Sequence, residues 1–285
     1  MNADALKARI GQKAKATGIT HETYYQHIFL RRFLARLAET RYKDHFILKG
    51  GMLVSGALSM EARSTMDIDV SVRRLPIDEN TAREIIQAII DTDVGDGVRF
   101  DFHRIEVMRP DDEYEGYRIS LAAIYETMNF RIKIDVSVGD VIVPGPVHFD
   151  FTWDDDVFGK TIEVRAYPIE MVLAEKLETV LSRGDENTRM RDYYDIHVLS
   201  KVDEKKVNHL SLGKSLNAVF RQRGTLALFE ERDEVLAEIS ESQTMRKRFK
   251  NYCREYAVFT GDLTFDAVME TIRNMFDEVK RYVLR

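Results

Sequence analysis

The chain of 285 residues is long enough for about two domains, and its 44% apolar and 32% charged residues exclude a disordered chain. No stretch is apolar enough to span a membrane, and the net charge of -6 argues against nonspecific coating of nucleic acid without excluding a local basic patch. The single Cys253 excludes an internal disulfide, and the N-terminal residues lack the apolar core of a secretion signal, so we expect a reducing cytoplasm.

Residues 20–42 predict a helix that precedes the first strand. Apolar side chains recur there at helical spacing, namely Ile28, Phe33, Leu34 and Leu37. Three cations, Arg31, Arg32 and Arg36, lie along the same segment, and we interpret them as a solvated face.

Residues 46–58 predict a strand, a tight turn at Gly50-Gly51 and a helix. Glycines let the backbone approach a ligand closely, and the first N–H groups of a helix are unpaired donors that favour phosphate. The segment therefore suggests a phosphate site beside Lys49, although a plain turn next to a solvated lysine explains the same residues.

Residues 63–72 alternate apolar and polar side chains, as a half-buried strand does. Met66 and Ile68 fall on the apolar face, whereas Asp67 and Asp69 share the other. On a strand, residues two apart lie roughly 6.6 Å from each other, which is close enough for two carboxylates to share a divalent cation. An isolated pair of this kind is more often an ordinary exposed face.

Residues 130–138 repeat the alternation and place Asp135 on the polar face, after a predicted helix at residues 84–90. If the two acidic strands are neighbours, Asp135 becomes a third carboxylate beside Asp67 and Asp69. Such acids repel one another unless a cation lies among them.

Pro144-Gly145-Pro146 predicts a turn, and the acidic run Asp154-Asp155-Asp156 is interpreted as a loop. From Pro168 to Arg285 strand patterns disappear and helical patterns continue. We therefore predict a mixed α/β (α+β) first part and a helical second part.

Lys176 falls on a largely apolar stripe of a helix predicted at residues 168–182. Asp192 and Asp195 share one face of the next helix. The lysine either extends to solvent, contacts a phosphate, or pairs with these acids in an internal salt bridge between two helices.

Residues 246–256 mix cations with Phe249, Tyr252 and Tyr256. Such a surface can follow a phosphate backbone and stack on a base. We favour an amphipathic helix whose aromatic residues pack inward, with RNA contact as the minor alternative.

Together these segments resemble the nucleotidyltransferase fold shared with DNA polymerase β, and more narrowly the AbiEii-type toxins of abortive-infection and toxin–antitoxin pairs. The resemblance rests on Leu48–Gly51, Arg63–Asp69, Asp135, Glu170–Leu177 and Arg189–Ile196. The wider superfamily begins its aspartate motif with Gly-Ser, where this chain has Arg63-Ser64-Thr65.

The resemblance implies a nucleotidyltransferase-like mixed β-sheet domain at residues 1–165 and a helical domain at 166–285 that contributes to the active-site cleft. It implies Mg²⁺ or Mn²⁺ held by Asp67, Asp69 and Asp135. The implied catalytic residues are Asp67, Asp69, Asp135, Lys176 and Asp192. The implied nucleotide-binding residues are Lys49, Gly50, Gly51, Arg63, Ser64, Thr65 and Lys176.

The implied activity is transfer of a nucleotide from a nucleoside triphosphate to an RNA such as a tRNA 3′ end. The implied biological role is a toxin in antiviral defence, encoded beside an antitoxin. In this hypothesis, Asp135 assists deprotonation of the acceptor hydroxyl and Lys176 offsets the charge of the leaving pyrophosphate. Two alternatives remain at this stage: a small-molecule nucleotidyltransferase, and a noncatalytic nucleotide-binding or protein-interaction module.

Overall fold

The computed structural model describes residues 2–58, 62–108, 116–151, 161–201 and 207–283. The chain divides into two compact units. One, called here the sheet unit, comprises Met1–Asp140 and Pro146–Tyr167; the other, the helical unit, comprises Val141–Gly145 and Pro168–Arg285. The predicted acidic loop at residues 154–156 lies outside the described residues.

The sheet unit contains a mixed sheet whose described strands are ordered β3-β4-β5-β2-β1-β7-β6. Its strands are β1 Phe46–Lys49, β2 Ile68–Val72, β3 Arg99–Met108, β4 Gly116–Tyr125, β5 Met128–Val138, β6 Val147–Phe151 and β7 Ile162–Ala166. The acidic strands β2 and β5 are parallel neighbours, whereas β1 with β2 and β4 with β5 are antiparallel. The sequence analysis required the two acidic strands to be neighbours for a carboxylate cluster to form, and the structure confirms that they are.

The helices of this unit are α1 Ala3–Thr17, α2 His21–Ala38, α3 Gly50–Leu58 and α4 Glu79–Ile90. Local chemistry sets where α2 and α4 begin, because the side chains of Thr20 and Asp78 accept hydrogen bonds from first-turn N–H groups. The helix predicted at residues 84–90 forms the second half of α4.

The prediction of a solvated arginine face on α2 is wrong. Arg31, Arg32 and Arg36 are all buried, because α2 packs against α1, α4, β5 and β7 and is therefore covered on several sides. Arg36 forms a bidentate pair with Asp96, with N–O distances of 2.9 and 2.8 Å. An extended basic surface on α2 is therefore excluded.

The helical unit contains α5 Ile169–Arg183, α6 Met190–Leu199, α7 His209–Arg223, α8 Ala227–Glu230, α9 Arg232–Glu241, α10 Gln243–Glu255, α11 Ala257–Thr260 and α12 Phe265–Val283. No strand occurs after Ala166 in the part of the chain that the structure describes. Its core is apolar: α12 buries residues along one face, including Val268, Ile272 and Phe276, at the spacing expected for an amphipathic helix. The predicted fold class, mixed α/β followed by helices, is confirmed.

Candidate active site

A row of four charged residues crosses the middle of the sheet. Lys49 on β1 is the register partner of Asp69 on β2, Asp69 is the partner of Asp135 on β5, and Asp135 is the partner of Arg118 on β4. Directly opposed residues on one sheet face have neighbouring side chains. This charged row therefore places two carboxylates side by side between two cations.

Asp67 lies immediately before β2, which begins at Ile68, so the prediction that Asp67 is part of the strand is wrong. The segment that carries Asp67 is held from both sides. The Thr65 hydroxyl donates a hydrogen bond to Asp67 Oδ1 at 3.0 Å, and the Gln26 amide donates to the Met66 carbonyl at 2.8 Å. The alternation predicted for residues 63–67 therefore does not form a strand, and Met66 is exposed instead of buried.

The environment of Asp69 disfavours a negative charge. Burial, followed by the negative charge of Asp67, raises the pKa of Asp69 to about 6, and Asp135 adds to the effect. Lys49 and a hydrogen bond from the Gly51 N–H act in the opposite direction but do not cancel it. Carboxylates in excess of nearby cations are the donor set that suits a hard divalent cation.

The side chains around positions 50 and 51 leave room only for glycine. Gly50 has φ +62°, and a Cβ atom there would overlap the Asp69 carboxylate. A Cβ atom on Gly51 would overlap the Thr65 hydroxyl. Helix α3 begins at Gly50 without an intervening turn, so the two glycines allow its first residues to approach Asp69.

Lys49 contacts an acid that the sequence analysis missed. Its Nζ lies 2.6 Å from Asp140 Oδ2, which also accepts hydrogen bonds from Ser137 at 2.6 Å and Tyr167 at 3.0 Å. Burial alone would raise the pKa of Asp140, but the Lys49 charge and the hydrogen bonds from Lys49 and Ser137 hold it below its usual value. The signal for Asp140 in the sequence is weak, because it lies beyond the alternating pattern of residues 130–138.

The segment 63–65, which was predicted to bind nucleotide, is mostly buried. Arg63 and Thr65 are buried, while Ser64 is half-buried. The Arg63 carbonyl accepts a hydrogen bond from Ser55, whose hydroxyl also contacts buried His27. Burial first, then the charges of Arg31 and Arg63, lower the pKa of His27 to about 3. A nucleotide-binding role for these residues stays a prediction.

Asp135 is engaged at both oxygens. Arg118 donates from Nε to Oδ1 at 2.8 Å and from Nη2 to Oδ2 at 2.6 Å. Within the described residues, no three His, Cys, Asp or Glu side chains are grouped so that they could hold a metal ion. Asp67 and Asp69 still fit a cation such as Mg²⁺, which commonly uses one or two carboxylates together with water and substrate phosphates.

A second ion cluster lies in the helical unit. Lys176 on α5 contacts Asp192 Oδ1 at 2.6 Å and Asp195 Oδ2 at 2.8 Å, both on α6. Arg189 Nε lies 2.7 Å from the other Asp192 oxygen. Lys176 is 9% exposed and both acids are buried, so the cluster contains the internal salt bridge that was one of the sequence-based alternatives.

Of the aromatic residues predicted to pack inward at 246–256, Phe249 is buried, whereas Tyr252 and Tyr256 are half-buried. Tyr252 lies between Phe249 and Tyr256, with ring centroids 6.1 and 4.9 Å away. Lys247, Lys250 and Arg254 are exposed on the opposite face of α10. The surface cations and the aromatic rings therefore do not form one stacking platform.

A separate cavity of about 500 Å³ lies in the sheet unit and is lined by residues of α2 and of the segment that follows it, by residues 94–96 and by residues 161–163. None of the predicted site residues lines it. The charged row is therefore the better candidate site, because it joins concentrated negative charge to a glycine-initiated helix.

The mixed sheet, with carboxylates before and within β2 and opposite them on β5, defines a nucleotidyltransferase fold. The family model for the nucleotidyl transferase AbiEii toxin of type IV toxin–antitoxin systems matches residues 32–271. This chain belongs to that family, and membership implies a cognate antitoxin.

Two solved structures from Helicobacter pylori share the fold. One, described as a candidate nucleotidyltransferase, aligns with a TM-score of 0.52 and 15% identity over 93% of this chain and 97% of that chain. JHP933 aligns with a TM-score of 0.52 and 14% identity over 93% of this chain and 94% of that chain. A comparison with curated protein sequences gives no match. No helix in the described ranges combines the length and hydropathy needed to cross a bilayer.

Proposed function

We propose that this protein is a metal-dependent toxin that transfers a nucleotide from a nucleoside triphosphate to an RNA, such as the 3′ end of a tRNA, in the cytoplasm. The observation that carries the proposal is the set of carboxylates formed by Asp69 and Asp135 on paired central strands and Asp67 immediately before β2. Family membership supports the transferase chemistry and the toxin role.

In the proposed reaction, the acceptor hydroxyl attacks the α-phosphorus, a new P–O bond forms, and the bond to the bridging oxygen breaks to release pyrophosphate. Asp67 and Asp69 would hold Mg²⁺ or Mn²⁺, which would neutralise charge on the triphosphate. Asp135 would accept the proton of the hydroxyl group. The Gly51 N–H, at the start of α3, already donates to Asp69 and so fixes this carboxylate.

Roles for the remaining predicted residues are part of the same proposal. Lys49 and Thr65 would support nucleotide binding mainly by fixing acids, because Lys49 pairs with Asp140 and Thr65 donates to Asp67. Arg63 and Ser64 would contact the nucleotide beside them. Catalytic roles for Lys176 and Asp192 stay predictions, as does the contribution of the helical domain to the cleft.

The test is incubation of purified protein with each of the four α-labelled nucleoside triphosphates, Mg²⁺ and total bacterial RNA. We expect label in an RNA band with one preferred nucleotide, and no label when the metal is chelated. Pyrophosphate release that does not depend on RNA would instead indicate a small-molecule acceptor. A protein that binds nucleotide but transfers none under any condition would contradict the proposal.

The matched control is Asp101→Asn. Asp101 lies on β3 of the same sheet, its side chain is 45% exposed, and it pairs with exposed Arg99. The substitution removes one carboxylate charge from the sheet unit without touching the charged row, so transfer should continue at the wild-type rate.

A further inference from the structure

Arg118 is the cation of the charged row that donates hydrogen bonds to both carboxylate oxygens of a predicted metal ligand, Asp135. Its guanidinium forms two parallel hydrogen bonds with Asp135, the strongest and most directional geometry for this pair of side chains. The hydrogen bonds and charge of Asp135 also raise the pKa of Arg118 above its ordinary value. Arg118 therefore stays charged and competes directly with any metal ion for Asp135.

The fold does not need this ion pair. The Arg118 side chain is 43% exposed and the Asp135 side chain 15%, and ion pairs that water screens in this way typically add little to stability. The contrast is Arg36 with Asp96, whose side chains are both 3% exposed and whose guanidinium also donates to backbone carbonyls. Arg36 joins elements of the core, whereas Arg118 contacts a candidate catalytic acid at the surface of the sheet.

The pairing also distinguishes Asp135 from the other two predicted metal ligands, Asp67 and Asp69. Asp67 accepts from Thr65 and Asp69 accepts from the Gly51 N–H; both donors are neutral, and the Lys49 charge that also acts on Asp69 is paired with Asp140. Asp135 accepts from a full positive charge. A metal ion at Asp135 must displace the guanidinium, and one at Asp67 and Asp69 need not.

We propose that Arg118 is a positioning residue that withholds Asp135 from metal, so that the protein alone binds one divalent cation at Asp67 and Asp69. This inference rests on the proposed function. Displacement of Arg118 requires a competing cation for Asp135, a competing anion for the guanidinium, or both. A metal–triphosphate complex supplies both charges, so the three acids would act together only when substrate is present.

The experiment is titration of the nucleotide-free, metal-stripped protein with Mn²⁺, with free Mn²⁺ measured by electron paramagnetic resonance. Wild type should bind one ion per chain. Arg118→Gln should bind a second ion, or bind the first at least about tenfold more tightly, because a unit charge next to the site is lost. Adding Asp135→Asn to Arg118→Gln should abolish that gain.

Arg131→Gln is the matched control. Arg131 is exposed on β5, on the same face as Asp135 and about 13 Å along the strand, so the substitution removes the same charge without touching the acids. Arg118→Lys keeps the charge but loses the bidentate geometry, and its Mn²⁺ affinity should lie between those of wild type and Arg118→Gln. Melting curves on the same preparations should show Arg118→Gln folded, since its side chain is well exposed.

Equal Mn²⁺ stoichiometry and affinity in wild type, Arg118→Gln and Arg131→Gln would overturn the inference and leave the metal-dependent function standing. Absence of Mn²⁺ binding in wild type and Arg118→Gln alike would also overturn the inference, because the protein alone would then bind no cation at Asp67 and Asp69. A gain in Arg118→Gln that persists after Asp135→Asn would also contradict the inference, because the second ion would then not use Asp135.

Discussion

The charged row of the sheet unit and the ion cluster of the helical unit contain the same kinds of side chain in different balance. Around the row, Asp67, Asp69, Asp135 and Asp140 outnumber the cations Lys49 and Arg118. In the helical cluster, Lys176 and Arg189 match Asp192 and Asp195, and the acids are buried. Unbalanced charge is a cost that a ligand can relieve, whereas balanced buried charge holds a structure together.

The comparison is tested most strongly by Lys176→Met, which keeps a flexible apolar stem and deletes the charge. It removes the positive charge that contacts two buried carboxylates, so the free energy of unfolding should fall by about 3–5 kcal/mol. The measurement is denaturant unfolding without nucleotide. The control is Lys250→Met, the same change on the exposed face of α10, which should stay within about 0.5 kcal/mol of wild type.

If Lys176→Met were as stable as wild type but bound a nucleoside triphosphate more weakly, the cluster would belong to substrate binding. Its description as a structural ion pair would then be wrong.

Gly50→Ala should have the next largest effect. A Cβ atom there meets the Asp69 carboxylate in a backbone conformation that alanine rarely adopts, so we expect a loss of about 2–3 kcal/mol. Gly95→Ala is the control, because Gly95 has φ +71° but open space around its Cβ position. It should cost only the backbone term of about 1–2 kcal/mol. Equal losses of stability in the two variants would show that the Asp69 carboxylate does not need the space that Gly50 leaves.

A smaller effect is expected from pH. Because the folded pKa of Asp69 is about 6 and the ordinary value is 3.8, the folded state binds the proton more tightly. The stability from this group is fully present below pH 4 and is lost as pH rises through 6, by about 1–3 kcal/mol after discounting for solvent screening. In EDTA, wild type should therefore lose more stability than Asp69→Asn between pH 4 and pH 6.5. Parallel curves of stability against pH for the two proteins would mean that the surroundings of Asp69 do not raise its pKa.

The sequence predicts which sheet face Asp69 and Asp135 occupy, because side chains alternate with period two along a strand. The pairing of β2 with β5 then brings the two residues together. Arg118 was not found, because its contact depends on the register between β4 and β5, which local sequence does not encode. The burial of Arg36 was missed for a related reason. Helical spacing locates one apolar stripe, but it does not reveal that a helix is covered on several sides.

The most direct test of the central claim is the rate of nucleotide transfer to RNA by Asp67→Asn and Asp69→Asn, beside Asp101→Asn, at saturating Mg²⁺. The amide keeps the shape of the side chain and removes its charge, so the first two variants should stay folded and lose at least about a hundredfold in rate. Asp101→Asn should match wild type. Transfer at the wild-type rate by a folded Asp67→Asn or Asp69→Asn variant would contradict the assignment of Asp67 and Asp69 as the metal-binding acids.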